Sequence, residues 1–237
     1  MLFMRSLVIV ALLALGTLLL PWEKNIAEIQ PVPSLHQEKI LYPLWKVAGA
    51  SGCIIALSGF RAPVAAGLWI AAFTAWEKKE WKRMADLMEV VLLLEPHQIV
   101  YWDMASWHLA WNASHAAINN QEKLFYIQRG RSILEEGIRH NPESSLLYER
   151  LAVLLRDQLQ DHAAAAAAFA KAATLPGAAP YLRRFAAYEL AECPEQEAEA
   201  YAQLKALYQE GPEQRVPALL ATLERLEKKR KKLKRKN

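Results

Sequence analysis

From about residue 59 onward, apolar residues recur every three or four positions, with charged and amide side chains between them. This spacing is that of one face of an α-helix, and no useful length of the region alternates apolar and polar residues as a half-buried strand does. The pattern therefore predicts an all-α chain. The predicted helices cover residues 62–78, 81–94, 98–117, 122–140, 144–159, 162–174, 180–192, 195–209 and a last segment from about 216.

Four prolines divide the helical region at similar intervals. They lie 46, 34 and 36 residues apart, at Pro96, Pro142, Pro176 and Pro212. Because proline lacks a backbone N–H, it fits the first turn of a new helix and cannot continue the previous one. We therefore interpret each interval as a pair of helices, with Asn141 as a predicted N-cap and Gly211 as a predicted C-terminal cap.

The third interval carries a pattern of aromatic, small and apolar residues. The residues that form it are Tyr148, Leu151, Ala152, Leu155, Ala164 and Pro176. A period of about 34 residues, an early aromatic residue, small residues in mid-helix and a closing proline resemble the tetratricopeptide repeat. The resemblance covers roughly residues 62–212 and implies a right-handed solenoid of helix pairs, which presents a concave groove to a protein or peptide.

The other intervals resemble the repeat less completely. The second matches at Trp102, Ala105, Ser106, Gly130, Leu134, Gly137 and Pro142, across an insertion of about twelve residues near "INNQEKLFYIQR". The first matches at Leu68, Ala71, Ala72, Val91 and Pro96, with poor matches at Met84 and Met88. The fourth interval is the poorest match. A repeat this degenerate indicates architecture more strongly than function.

Three longer stretches carry a narrower resemblance. They are "GFRAPVAAGLWIAAFTAWEKKEW", "YWDMASWHLAWNAS" and "ATLPGAAPYLRRFAAYELA". Together they resemble a group of membrane-anchored repeat proteins of bacteria of the verrucomicrobial type. This resemblance implies a bacterial cell membrane and an anchored solenoid, and it implies no established biochemical role.

The amino terminus has the composition of a membrane anchor. Arg5 is followed by an apolar run from Leu7 to Trp22, which is close to the lower limit of about 17 residues for crossing a bilayer. A cleaved signal peptide is the alternative, but the run ends "LLLPW" without a small-x-small cleavage site. We therefore predict an uncleaved transmembrane helix at residues 1–22, which places the solenoid on the non-cytoplasmic side because Arg5 stays in the cytoplasm.

A second apolar segment leaves the topology open. Residues 47–60 are apolar but too short to cross a bilayer, and a longer span to residue 76 would bury Arg61. The segment is therefore either a packed helix or a second span, which would form a hairpin and return the solenoid to the cytoplasm. The basic cluster of Lys78, Lys79, Lys82 and Arg83 agrees with the hairpin by the positive-inside rule. The short segment and the burial of Arg61 count against it, so the hairpin is the alternative topology.

The domain organisation follows from these patterns. The predicted parts are an anchor at 1–22, a linker at 23–46, an apolar segment at 47–61, the solenoid at 62–212, and a terminal helix with a basic tail at 213–237. Apolar residues make up 53% of the chain and charged residues 23%, which excludes disorder for most of it. The two cysteines lie 140 positions apart, so the chain is not a disulfide scaffold.

The basic character of the protein comes from its last ten residues. They hold eight of the 29 basic residues and no acid, so the rest of the chain carries 21 basic against 25 acidic side chains. Such a tail can meet phosphates or anionic lipid. The candidate anion-binding residues are Lys228, Lys229, Arg230, Lys231, Lys232, Lys234, Arg235 and Lys236. The tail has no interleaved aromatic residue, so we expect no sequence-specific recognition of nucleic acid.

The sequence offers little catalytic chemistry. It contains no phosphate-binding glycine loop and no HExxH, GxSxG or CxxC motif. His108 and His115 are seven residues apart, about 10.5 Å along a helix, so one metal ion cannot bridge them directly. We therefore predict no enzyme, no cofactor and no metal site.

The stretch "YWDMASWHLAWNASHAA", residues 101–117, is the most unusual in the chain. At helical spacing, one face carries Met104, Trp107, Trp111 and Ile118, and nearly the opposite face carries Trp102, Ala105, Leu109, Ala113 and Ala116. A helix that is apolar on two sides is sandwiched between neighbours. The repeat resemblance implies that Trp102, Ala105, Ser106 and Leu109 pack inside and that Asp103, Trp107, Ala110 and Trp111 point toward the groove.

Two interpretations of Trp107 and Trp111 remain open. They are core residues covered by another segment, or they form an aromatic shelf for a ligand, with Asp103 fixing a polar group. The chain as a whole is interpreted as a membrane-anchored scaffold that binds a protein partner. The alternative function is binding of anionic lipid or polymer by the tail, which salt should weaken more than it weakens binding in a groove.

Overall fold

The computed structural model describes residues 59–234, and all regular structure in this range is helical. The nine α-helices of this range are α1 Arg61–Glu77, α2 Trp81–Leu94, α3 Ile99–Trp107, α4 Asn120–His140, α5 Ser145–Leu159, α6 His162–Ala173, α7 Tyr181–Leu190, α8 Glu197–Glu210 and α9 Pro217–Lys234. The all-α prediction is therefore confirmed for this range. The predicted anchor, the linker and residues 47–58 lie outside it.

The predicted helix ends are close to the observed ones, and each of the four dividing prolines lies in a connection between helices. One predicted helix is wrong: the segment 98–117 is not a continuous α-helix, because α3 passes into a π-helical segment at His108–Ala113. The predicted cap at Asn141 is also wrong. Asn141 closes the end of α4, where its side-chain amide donates to the carbonyl of Gly137 at 3.0 Å.

The N-terminal ends of three helices are closed by the side chain that precedes them. Asn119 accepts from the backbone N–H of Glu122 before α4, Ser144 accepts from that of Leu147 before α5, and Asp161 accepts from that of Ala164 before α6. These bonds satisfy backbone donors that have no partner within the helix. At the other end of the fold, Gly211 follows α8 directly, as predicted.

The described residues form two compact units, 59–105 and 106–234. In the first unit, α1 packs against α2 around Ala65, Val90, Val91 and Leu94. Arg61, at the start of α1, donates to the carbonyl of Leu94 at the end of α2 at 2.6 Å, so the two helices run antiparallel. Within residues 59–234, no helix combines the length and the apolar character that crossing a membrane requires.

In the second unit, the helices pack mainly on their neighbours along the chain. The run of alanines at 163–168 belongs to α6, which lies between α5 and α7. Its small side chains let both neighbours approach closely, and Phe169 of α6 meets Phe185 of α7 edge to face at 5.5 Å between ring centroids. A second cluster, built around Leu204, Leu207, Leu219 and Leu226, joins α7, α8 and α9.

Candidate functional site

The π-helical segment distinguishes the tryptophan-rich stretch from the other helices of the described range. Its side chains at His108, Leu109, Ala110 and Ala113 are buried. Ser114, directly after the segment, donates its hydroxyl to the carbonyl of Ala110 at 2.6 Å. Segments of this kind occur often at functional sites, because the widened turn redirects side chains relative to a regular α-helix.

The π segment packs closely against α4 at Gly130. A Cβ atom placed on Gly130 would lie 2.9 Å from the Cβ of Ala110 and 3.0 Å from the carbonyl oxygen of Ser106. The absence of a side chain at Gly130 therefore allows α4 to touch the backbone of this segment. Ser106 and Gly130 are both buried, at positions that the repeat resemblance assigned to packing.

His108 is held inside this arrangement by Asn112, one turn later. The amide nitrogen of Asn112 lies 3.0 Å from Nδ1 of His108, within hydrogen-bond distance. Burial lowers the pKa of His108 below its ordinary value of 6.5. The edge of the neutral ring lies against Trp107, with 5.1 Å between ring centroids.

The three candidate groove residues, Asp103, Trp107 and Trp111, differ in their exposure and in the unit to which they belong. Asp103 is partly exposed and belongs to the first unit, whereas Trp107 and Trp111 belong to the second. Trp107 is 44% exposed and Trp111 is partly exposed. The described residues therefore leave Trp107 outside the core. By contrast, Trp102 is 3% exposed, and its indole N–H donates to the carbonyl of Pro96 at 2.8 Å.

Two neighbouring expectations are wrong. Ala110 was expected to face the groove, but it is fully buried where Gly130 makes room for it. Ala116 was expected on the buried face, but it is exposed, because the helical residues end at His115 and Ala116 lies in the turn that follows. The predicted packing of Ala105, Ser106 and Leu109 is confirmed, since all three are buried.

Sequence reasoning missed an exposed apolar group at the start of α4. Ile118 is 92% exposed, Leu124 51% and Phe125 57%, and all three lie in the second unit. They fall in the insertion that separates the two halves of the second repeat match. The sequence did contain a signal for this group. The insertion is not part of the repeat pattern, so its apolar residues are not needed for the core of the repeat and could have been expected at the surface.

A buried carboxylate on α7 was also missed. Glu189 accepts from Nδ1 of His162, at the start of α6, at 2.8 Å, and Nη1 of Arg156 on α5 lies 4.0 Å from its other oxygen. The side-chain hydrogen bond to Asp157 is the main cause that raises the pKa of Arg156. This cluster joins three successive helices through one hydrogen bond and one ion pair, so we assign it to packing.

The basic tail is described as far as α9 extends. Lys228, Lys229, Arg230, Lys231 and Lys232 are exposed on this helix, and Lys234 is its last residue. Arg235 and Lys236 lie outside the described residues. The five exposed residues lie on one helix but differ in their contacts. Lys229 and Arg230 contact Glu197 and Tyr201 of α8.

The two histidines lie in different environments. His108 is buried against Asn112, whereas His115 is exposed. Among residues 59–234, no group of three or more histidine, cysteine, aspartate or glutamate side chains is placed to hold a metal ion. The one cysteine in this range, Cys193, is buried, and burial is the main cause that raises the pKa of its thiol.

No model of a known protein family matches the chain, and no curated protein matches it significantly. The resemblance to tetratricopeptide repeats therefore stays a prediction from the sequence.

Proposed function

We propose that this chain is a non-enzymatic scaffold that binds a segment of a partner protein on helix pairs of the tetratricopeptide type. In this proposal, the pairs form the predicted solenoid and the apolar residues 1–22 hold it at a bacterial cell membrane. The proposal is supported by helices that begin and end close to the prolines of the repeat pattern. It is also supported by burial of the matching small residues Ala105, Ser106 and Ala152.

The observation that carries the proposal is the exposure of Trp107 on an otherwise well-packed segment. A tryptophan that is 44% exposed leaves a large apolar surface in water, beside residues that are fully buried. Tryptophans of this kind are the residues that most often dominate the binding energy of protein interfaces. In the proposal, Trp107 and the partly exposed Trp111 form the shelf on which an apolar side chain of the partner rests.

The rigid base of this shelf supports the same function. Gly130 brings α4 against Ala110, and Asn112 holds His108 against Trp107. A side chain that is already held in place loses little conformational entropy on binding, so more of the contact energy appears as affinity.

Capture of partners by the full-length protein tests the proposal. The full-length protein, its Trp107→Ala variant and its Leu124→Ala variant are incubated with an extract of the source cells in mild detergent. Leu124 is the matched control because it is 51% exposed in the same unit. We expect a defined set of proteins that is retained by Leu124→Ala and lost from Trp107→Ala. An identical set for all three chains would refute the role of Trp107.

A second function, attachment to an anionic surface, is favoured by α9. Its final turns carry five exposed basic residues in succession, from Lys228 to Lys232. This function is compatible with the scaffold, because it uses a different helix from the Trp107 shelf. Deletion of residues 228–237 tests it, since the deletion should abolish preferential binding to anionic vesicles.

A further inference from the structure

The six basic residues of α9 from Arg225 to Lys232 divide into two groups by what they contact. On one side, Nη2 of Arg225 donates to Oε1 of Glu192 at 2.6 Å, and Lys229 forms an ion pair with Glu197 at the start of α8. The guanidinium of Arg230 lies over the ring of Tyr201, 4.5 Å from its centroid. These three residues attach the helix to the body of the second unit.

The other group consists of Lys228, Lys231 and Lys232. All three are exposed, and none has a hydrogen bond or an ion pair with another residue of the described range. At 3.6 residues per turn, the three side chains fall within a sector of about 100° around the helix. The sector faces away from Leu219 and Leu226, the leucines that bury α9 against its neighbours.

Two further residues lie on the same side of the helix. Leu220 is 40% exposed, two turns before Lys228. Glu224 lies one turn before Lys228 and is the acidic residue of this face. The face therefore combines three lysines, one glutamate and one exposed leucine.

We propose that Lys228, Lys231 and Lys232 bind the headgroup phosphates of an anionic bilayer, while Arg225, Lys229 and Arg230 hold α9 on the protein. This inference rests on the second proposed function and assigns its ligand and its residues. Three of the six basic residues from Arg225 to Lys232 contact the membrane in this arrangement. The others act within the fold.

The chemistry of the free face favours a bilayer over nucleic acid. The basic residues of this face are all lysines, whose compact, strongly hydrated ammonium groups suit a diffuse layer of charge. Arg225 and Arg230, whose guanidinium groups would suit paired phosphate oxygens, are engaged within the protein. Leu220 adds apolar surface that can be buried at the boundary between lipid headgroups and acyl chains, whereas the phosphate backbone of nucleic acid offers no such apolar region. No aromatic side chain lies on the face to stack on bases. The apolar run at residues 7–22 also predicts a membrane nearby.

The test compares two triple variants of the full chain that lose the same charge. The variant of the free face is Lys228→Gln/Lys231→Gln/Lys232→Gln, and the matched control is Arg225→Gln/Lys229→Gln/Arg230→Gln. Partition is measured into vesicles of phosphatidylcholine and into vesicles of equal parts phosphatidylcholine and phosphatidylglycerol. Because the apolar amino terminus contributes to both, the ratio of the two partition coefficients isolates the effect of headgroup charge.

We expect the free-face variant to lower this ratio on the order of 100-fold at physiological salt, since each lysine near an anionic surface contributes about a fivefold preference. The control variant should lower the ratio by less than about fivefold, but it should loosen α9, which faster amide hydrogen exchange in residues 217–232 will report. Circular dichroism checks that both variants keep the helical content of the parent.

Three results would overturn the assignment, and they differ from one another. If deletion of residues 228–237 leaves the ratio unchanged, the second proposed function itself is wrong. If the deletion lowers the ratio but both triple variants lower it equally, the tail binds anions without the division into two faces. If the free-face variant keeps the ratio but loses affinity for duplex DNA, the ligand is nucleic acid.

Discussion

Gly130 of α4 lies directly against Ala110 of the π segment, so that a Cβ atom on the glycine would stand 2.9 Å from the Cβ of the alanine. The contact brings the backbone of α4 close to that of Ser106 and of Ala110, on either side of Trp107 in the sequence. Ala110 is fully buried at this contact, because the space beside it is free of a side chain at Gly130.

Replacing Gly130 by alanine should destabilise the protein. In the interior of a helix, alanine raises the free energy of unfolding by up to about 1 kcal/mol relative to glycine. Here a clash of the new Cβ with the backbone of Ser106 and Ala110 should lower it by about 1–3 kcal/mol. Gly67→Ala is the control, since no atom lies within 4 Å of a Cβ at this position in α1. Thermal unfolding should show a lower midpoint for the first variant and an equal or higher one for the second. A gain for Gly130→Ala would contradict the close contact.

The two tryptophans of α3 should respond differently to alanine. Trp102 is buried and donates to the carbonyl of Pro96, so its loss should cost about 3–5 kcal/mol of unfolding free energy. Trp107 is 44% exposed, so its loss should cost about 1 kcal/mol or less. Urea unfolding monitored by far-ultraviolet circular dichroism measures both. Equal losses would show that Trp107 is a core residue in the complete protein.

Protonation of His108 should weaken the fold in mild acid. Burial lowers its pKa in the folded state below the ordinary value of 6.5, so the unfolded chain binds this proton at higher pH than the folded one does. Stability should therefore be fully present above about pH 6.5 and fall below it, by at most about 1.4 kcal/mol per pH unit.

The variant His108→Gln should remove that part of the pH dependence, whereas His115→Gln should keep it, because His115 is exposed. Chemical unfolding at a series of pH values below 7 compares the two with the parent. A parallel decline in the His108→Gln variant and the parent would assign the pH dependence to other groups.

Removal of the buried carboxylate of α7 should cost more than removal of an exposed one. Glu189→Ala removes the hydrogen-bond acceptor of His162 and the ion-pair partner of Arg156, and about 1–3 kcal/mol of stability should be lost. Glu192→Ala breaks only the exposed ion pair with Arg225, so about 1 kcal/mol or less should be lost. Denaturant unfolding measures the loss of unfolding free energy in both variants. A smaller loss for Glu189→Ala than for Glu192→Ala would contradict a stabilising role of the buried carboxylate.

The predicted anchor leads to a biochemical expectation. The native protein should stay with the membrane fraction after an alkaline carbonate wash and should retain residues 1–20, because the apolar run from Leu7 to Trp22 is nearly long enough to span a bilayer. Recovery of a soluble protein that begins near residue 22 would identify a cleaved signal peptide instead.

A reporter fused after Asn237 separates the two topologies. We expect it to be active outside the cytoplasm, and activity in the cytoplasm would favour the hairpin.

The sequence by itself determined the helical class and the positions of most helix ends. Apolar periodicity, proline at Pro96 or Pro142, and the glycine at Gly211 act over a few neighbouring residues, so their consequences can be read locally. The same local reasoning was wrong at Asn141. An asparagine between two helices can cap either one, and here its amide turns back to Gly137.

The tertiary structure decided which residues of the tryptophan-rich stretch face water and which basic residues of the tail are free. The environment of Ala110 depends on Gly130, twenty residues later, and the environments of Arg225, Lys229 and Arg230 depend on Glu192, Glu197 and Tyr201, about thirty residues earlier. Neither relationship leaves a periodic signal in the sequence. A side chain is exposed or engaged according to what the folded chain brings beside it, and that partner is set by helix packing rather than by spacing along one helix.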